Sequence, residues 1–140
     1  MFVMDRPNFY HYVAIMDYED DGVHITFPDL PGCVSFGENE ADAVKQAREA
    51  LALHLWGIED DGDVPPAPST VKDLSHTKLP ENQTYFGVET FMPIIREKMA
   101  NRVVKKTLTI PAWLNAQAEN YGINFSQTLQ RALKQELNMI

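Results

Sequence analysis

The sequence is poor in the features that mark many protein classes. In 140 residues it has one cysteine, Cys33, so no intrachain disulfide can form and a stapled extracellular scaffold is excluded. Long apolar runs are missing too. The most hydrophobic stretch, residues 50–56, is interrupted by His54 and falls far short of the roughly 20 residues a membrane-spanning helix needs, so no membrane role is expected. The chain does not open with a basic segment followed by an apolar one, which predicts that it is not exported and resides in the cytoplasm. His11, His24, His54 and His76 lack zinc-type spacing, Cys33 has no metal partner or activating base by motif, and the glycines form no phosphate loop. No cofactor, metal or catalytic residue is therefore expected. His24 reads as a strand residue, His54 as a helix-side residue, Cys33 as a small core residue, and Trp56 and Trp113 as packing residues.

What is present is charge, unevenly placed. The formal total of −8 conceals two parts of opposite sign. Through Ile95 there are five basic residues against 17 acidic ones, a net of −12; from Arg96 onward seven basic residues face three acidic ones, a net of +4. A polyanion would be repelled by the first part and attracted by the last, the pattern of a protein with two different partners. A chain of this length suits one ordinary domain or two small ones.

Residues 9–16 are aromatic or aliphatic apart from His11, residues 23–27 (Val-His-Ile-Thr-Phe) are β-prone, and Glu19-Asp20-Asp21-Gly22 lies between them, which predicts a hairpin. Pro28, Pro31 and Gly32 end the second strand, and residues 33–36 return as a third. Asn39 is a good helix cap, with Glu40 and Asp42 in the first turn. Ala43, Val44, Ala47, Ala50, Leu51, His54, Leu55 and Ile58 then recur at helical spacing, predicting one long helix that covers the sheet. Residues 59–68, with three prolines and four acids, read as a loop with little to bury. Residues 84–92 read as a strand returning to the sheet edge, and a linker is placed at 96–101. The fold class expected is α+β, with a β-β-β-α-β domain over 1–95 and a β-α-α module over 102–140.

In that module a strand-like run, residues 103–110, meets Pro111 where a helix can start without losing a needed N–H. Leu114, Ala118 and Tyr121 form one apolar stripe, Gly122 stands where a left-handed helix stop wants glycine, and Asn124 or Ser126 caps a second helix with Leu129, Ala132, Leu133 and Leu137 on its stripe. About forty residues cannot enclose a core alone, and pairing two copies strand to strand solves this. The resemblance here is to the ribbon-helix-helix DNA-binding superfamily. It is carried by Lys105-Lys106-Thr107-Leu108-Thr109-Ile110-Pro111, Gly122 and Phe125-Ser126, and implies an intertwined homodimer. If Leu108 and Ile110 face the helices, Lys105, Thr107 and Thr109 face outward, a small, polar, basic surface for base edges in a major groove. The start of the second helix, near Asn124, Phe125 and Ser126, offers free N–H groups to a phosphate. The expected partner is operator DNA.

Three segments in the first part, Tyr12-Val13-Ala14-Ile15, Phe27-Pro28-Asp29-Leu30-Pro31-Gly32-Cys33 and Gly37-Glu38-Asn39-Glu40-Ala41-Asp42-Ala43 ahead of a long helix, resemble the HicB family, as does their fusion to a ribbon-helix-helix tail. That family often has threonine at the helix cap where this chain has Asn39. The resemblance implies a truncated ribonuclease-H-like first domain, a small basic RNA-cleaving HicA-type toxin as partner, and repression of the shared promoter by the tail. An acidic domain suits that partner, since a toxin that grips RNA must present a basic surface. Asp17, Glu19, Asp20 and Asp21 in the hairpin, with Asp29 and Leu30 in the proline loop, are the candidate toxin-binding residues. Two other readings stand beside this one: a repressor whose first domain senses a small molecule, and a metal-dependent nuclease with Asp17 as one carboxylate.

Overall fold

The computed structural model describes residues 6–139. They divide into two compact units, one ending at Arg102 and the other beginning at Val103.

The first unit is a four-stranded antiparallel sheet in the order β3-β2-β1-β4, made of β1 (Phe9–Glu19), β2 (Gly22–Thr26), β3 (Val34–Gly37) and β4 (Gln83–Phe91). In the register Tyr12 pairs with Val88, Met16 with Ile25, and Ile25 in turn with Ser35. This sends Tyr12, Ala14, Met16, Val23, Ile25 and Val88 to one face, where all six are buried. Over them lies α1 (Glu40–Asp60), started by Asn39, whose side chain accepts from the Asp42 N–H, while Asp42 accepts from the Glu38 N–H at 3.0 Å. Ala43, Ala47, Leu51 and Leu55, four residues apart, are all fully buried on the helix stripe that meets the sheet. The small residues at its start let the helix approach closely. A Cβ at Gly37 would lie 2.2 Å from the Ala43 nitrogen, so only glycine fits where β3 passes under α1.

Residues 59–68, expected to be a loop with little to bury, and the polar stretch that follows them are pinned at several points. Asp29 accepts from both the N–H and the hydroxyl of Ser69, at 2.6 and 2.9 Å, and Tyr12 donates its hydroxyl to the Pro66 carbonyl. Thr70 then caps a single turn, α2 (Val71–Leu74), in a reciprocal capping box with Asp73. Tyr85, on the sheet face away from α1, donates to the Leu74 and Thr77 carbonyls, which places this segment over part of the second face. Val13 on that face is fully buried.

Two expectations are corrected at the far end. Residues 96–101 are no linker: β4 runs directly into α3 (Met92–Ala100), which Pro93 opens and whose Met92 is fully buried. The chain turns helical because its apolar and charged residues have a partner in α1. Nor does residue 59 begin a solvated loop. Glu59 is the last buried residue of α1 and only 3% exposed; Arg96 donates to both its carboxylate oxygens at 3.0 and 2.8 Å, and Tyr10 donates at 2.9 Å. Arg96 reaches on to the Pro7 carbonyl, and Arg6 donates to the Glu59 carbonyl. Burial alone would raise the Glu59 pKa, but the bonds from Arg96 and Tyr10 outweigh it and hold the value below normal. Burial and the bond to Glu59 push the Tyr10 hydroxyl up to about 12.

The second unit contains α4 (Ala112–Asn120) and α5 (Phe125–Glu136). Gly122, at φ +65°, ends α4: its N–H bonds the Glu119 carbonyl and the Ile123 N–H bonds that of Ala118, the paired closure that a left-handed residue permits. Asn124 is the N-cap of α5, accepting from the Gln127 N–H at 3.0 Å. Residues 103–110 form no strand in the single chain, because a strand is defined by a neighbour to bond and this segment has none among the described residues.

Arg96→Met would strand the buried Glu59 carboxylate and is expected to cost about 3 to 5 kcal/mol in urea unfolding at neutral pH. Because Glu59 has a lowered folded pKa, the wild type keeps this stabilisation above the ordinary carboxylate range and loses it as pH falls through that lowered value. The variant should therefore show a smaller loss of stability on acidification.

Candidate functional site

Among the residues expected to meet a partner, four form the tip of the β1–β2 hairpin. Asp17 and Glu19 lie on the sheet face opposite α1, and Asn82 from the segment before β4 donates to both, at 2.7 Å to Asp17 and 3.4 Å to Glu19. A hydrogen bond with Asp17, and then its charge, raise the Glu19 pKa. Asp20 and Asp21 are exposed in the turn itself. His24, opposite Asp17 in the register, bonds Asp21 at 2.9 Å, and its ring lies tilted 5.0 Å from the Phe36 ring on β3. The Asp21 bond raises the His24 pKa, opposed by desolvation and assisted by the charges of Asp21, Asp17 and Glu19; the same bond lowers that of Asp21. The tip is thus a concentrated negative surface with a titratable imidazole inside it. Among the described residues no three His, Cys, Asp or Glu side chains gather into a metal-holding group.

The proline loop is placed differently. Leu30 is 2% exposed and belongs to the core, so it is not part of a contact surface, and both Asp29 oxygens are taken by Ser69. The two residues hold the connector rather than extend the acidic tip. Cys33 is likewise a core residue, 3% exposed, with burial pushing its thiol up to about 11.

In the second unit none of the described residues is buried. Lys105, Thr107 and Thr109 are exposed, but so are Leu108 at 59% and Ile110 at 42%, so the single chain does not sort the run into an inner and an outer face. Leu114, Tyr121, Phe125, Leu133 and Leu137 are exposed as well, and Trp113, expected to pack, is 69% exposed. At the start of α5 the Asn124 side chain serves as the cap, and Ser126 accepts from Gln130 at 3.1 Å. Phe125 is 44% exposed. Two helices with bare apolar stripes are what a module looks like before its other half is supplied.

Residues 11–133, which span both units, match the family model described as the HicB-like antitoxin of bacterial toxin-antitoxin systems. The chain belongs to that family. Among relatives of this HicB-like antitoxin is an uncharacterized 14.9 kDa protein from the rep-hol intergenic region of Haemophilus phage HP1. It is 25% identical over 103 residues, which is 74% of each chain. The fold is shared with a chain of a toxin-antitoxin complex from Streptococcus pneumoniae, 23% identical with a TM-score of 0.59 over 91% of this chain and 99% of that one. It is also shared with the N-terminal domain of the Burkholderia pseudomallei antitoxin HicB, 30% identical with a TM-score of 0.51 over 56% of this chain and 95% of that one. The mixed α and β architecture with an antiparallel sheet is therefore that of HicB antitoxins. No helix among the described residues is long and apolar enough to cross a membrane.

An NMR titration of the imidazole checks the hairpin electrostatics. The His24 midpoint should lie above the ordinary histidine value and fall toward it in Asp21→Asn. An unshifted midpoint in the wild type would mean that the pair does not persist in solution.

Proposed function

We propose that this chain neutralises a small basic HicA-type RNA-cleaving toxin with its first unit, and that its second unit, paired with that of another copy as a ribbon-helix-helix dimer, holds operator DNA and represses the pair's own promoter. The observation that carries the reading is the family match through residue 133, which takes in both units rather than the sheet domain alone. Physical support comes from each end. Through Arg102 the chain has eight basic and 18 acidic residues, a net of −10 that favours a basic protein and repels nucleic acid. Beyond it the balance is four basic to two acidic, on a unit whose apolar stripes are uncovered in one copy.

In this reading residues 103–110 acquire their strand only on pairing. Leu108 and Ile110 then turn to the helices, while Lys105, Thr107 and Thr109 from each copy reach base edges and the start of α5 meets a phosphate. The full chain should sediment as a dimer at micromolar concentration, and Ile110→Lys should make it monomeric and abolish operator binding. A dimeric Ile110→Lys that still binds DNA would reject the ribbon.

Within the dimer, Thr107→Ala should weaken the preference for operator over random DNA by about 1 to 3 kcal/mol without changing sedimentation. Lys105→Ala should flatten the salt dependence of binding by about one unit for each phosphate that is no longer neutralised, or relax base choice if the lysine reads guanine. Mobility-shift titrations at several salt concentrations separate these outcomes. Neutralisation is read by coexpressing the chain with a HicA-type toxin: growth should be restored by the full chain, and failure to restore it would count against the neutralising role.

A further inference from the structure

The sheet face turned away from α1 differs from one side to the other. On its β4 side the connector lies over it at Tyr85, whereas on its β3 side Val34 is 62% exposed and Phe36 is 42% exposed. Met16, Val23 and Ile25 point to α1, so alternation turns Ile15, Asp17, His24 and Thr26 the other way, and Val34 and Phe36, opposite Thr26 and His24, share that outer face. Two rows therefore cross three strands: Phe36, His24 and Asp17 in one, Val34, Thr26 and Ile15 in the next. The Phe36 ring lies 5.0 Å from that of His24 and also covers Gly22, where a Cβ would come within 2.6 Å of it. His24 in turn bonds Asp21 at 2.9 Å. Apolar surface on β3 thus passes, within one face, through the imidazole to the carboxylates of the hairpin.

The charge on this face has one sign. No lysine or arginine stands on any of the four strands, and among the described residues the only ion pair made by Asp17, Glu19, Asp20 or Asp21 is that of Asp21 with His24. Asn82 holds Asp17 and Glu19 side by side, and the hydrogen bond between them, then the charge of Asp17, raise the Glu19 pKa, a crowding that a partner's cation would relieve. Such a face fits a partner that brings an apolar side chain and cations together. A nucleic acid would be repelled, and a second copy of the sheet would bring carboxylates with no lysine or arginine on its strands to answer them. We propose that the toxin docks on this outer face: one of its apolar side chains lies on Val34 and Phe36, while its lysines or arginines face Asp17, Glu19 and Asp21. The inference rests on the antitoxin reading above and assigns the contact to the side of the sheet that α1 leaves uncovered.

The test uses the full chain with a HicA-type toxin that it neutralises in coexpression, and reads binding by surface plasmon resonance. Val34→Arg places a repelling charge on the apolar part of the face and should raise Kd by about 100-fold, chiefly through faster dissociation. Thr26→Arg, at an exposed residue opposite Val34, adds the same charge without removing an apolar side chain. It should raise Kd by about tenfold or more, and it stands in if Val34→Arg melts early. Asp17→Asn with Glu19→Gln should slow association by about tenfold and weaken its salt dependence while dissociation changes little. Leu53→Arg on α1, 51% exposed, and Val64→Arg in the connector, 69% exposed, put the charge elsewhere and should leave Kd unchanged. Wild-type Kd in both Val34→Arg and Thr26→Arg would overturn the outer-face site while leaving the antitoxin reading intact. A loss in Leu53→Arg as large as that in Val34→Arg would also overturn it, because the contact would then lie between β3 and α1. A wild-type chain that neutralises no HicA-type toxin would remove both readings.

Discussion

A carboxylate removed from water must be surrounded by donors, or it takes up a proton or destabilises whatever removed it. Glu59 is in that position at the end of α1, and the donors that satisfy it come from separate parts of the chain: Tyr10 on β1 and Arg96 on α3, with Arg96 also holding the carbonyl of Pro7. One anion thus gathers the start of the first strand, the end of the long helix and the helix that follows the last strand. The apolar layer between sheet and α1 supplies the bulk of the burial, but it is not directional. The Glu59 cluster is, and it decides where α3 lies against the first unit.

Much of this architecture is legible in the residues. The hairpin, the Asn39 cap, the spacing of Ala43, Ala47, Leu51 and Leu55, the return of β4 to the sheet edge and the glycine stop at Gly122 are local signals, each readable within a few positions. What is not legible depends on distant partners. Glu59 sits in a run of acids and prolines whose local chemistry says solvent, and nothing near it in sequence announces Arg96. Residues 96–101 look mixed and basic for the same reason: the groups that stabilise them as a helix lie on α1. The turn α2 escapes a reading by pattern because four residues have no periodicity, although Thr70 and Asp73 carry the cap spacing that marks it.

The candidate surfaces divide along the same line. The hairpin carboxylates can be found from composition alone, because charge needs no fold to be counted. Which of them face a partner depends on pairing: Asp17 and Glu19 share Asn82, Asp21 engages His24, and Asp20 is left in the open turn. Leu30 is misplaced by the sequence because a leucine between two prolines reads equally as a loop tip or a core plug, and only the packed sheet distinguishes them. For the second unit the sequence describes an obligate half, and a single chain shows it as one, with every described side chain at least partly in water.

β4 enters α3 at Met92 with no loop between strand and helix, and the Met92 N–H bonds the Asn8 carbonyl at 2.7 Å. A junction of this kind has no slack. Any tilt or slide of the edge strand must be passed whole to α3, because there are no spare torsions to absorb it, and the Glu59 cluster resists it from the other side. The helix is consequently a stiff lever whose angle is inherited from the sheet, and it ends at Ala100, just short of the Arg102 that closes the first unit.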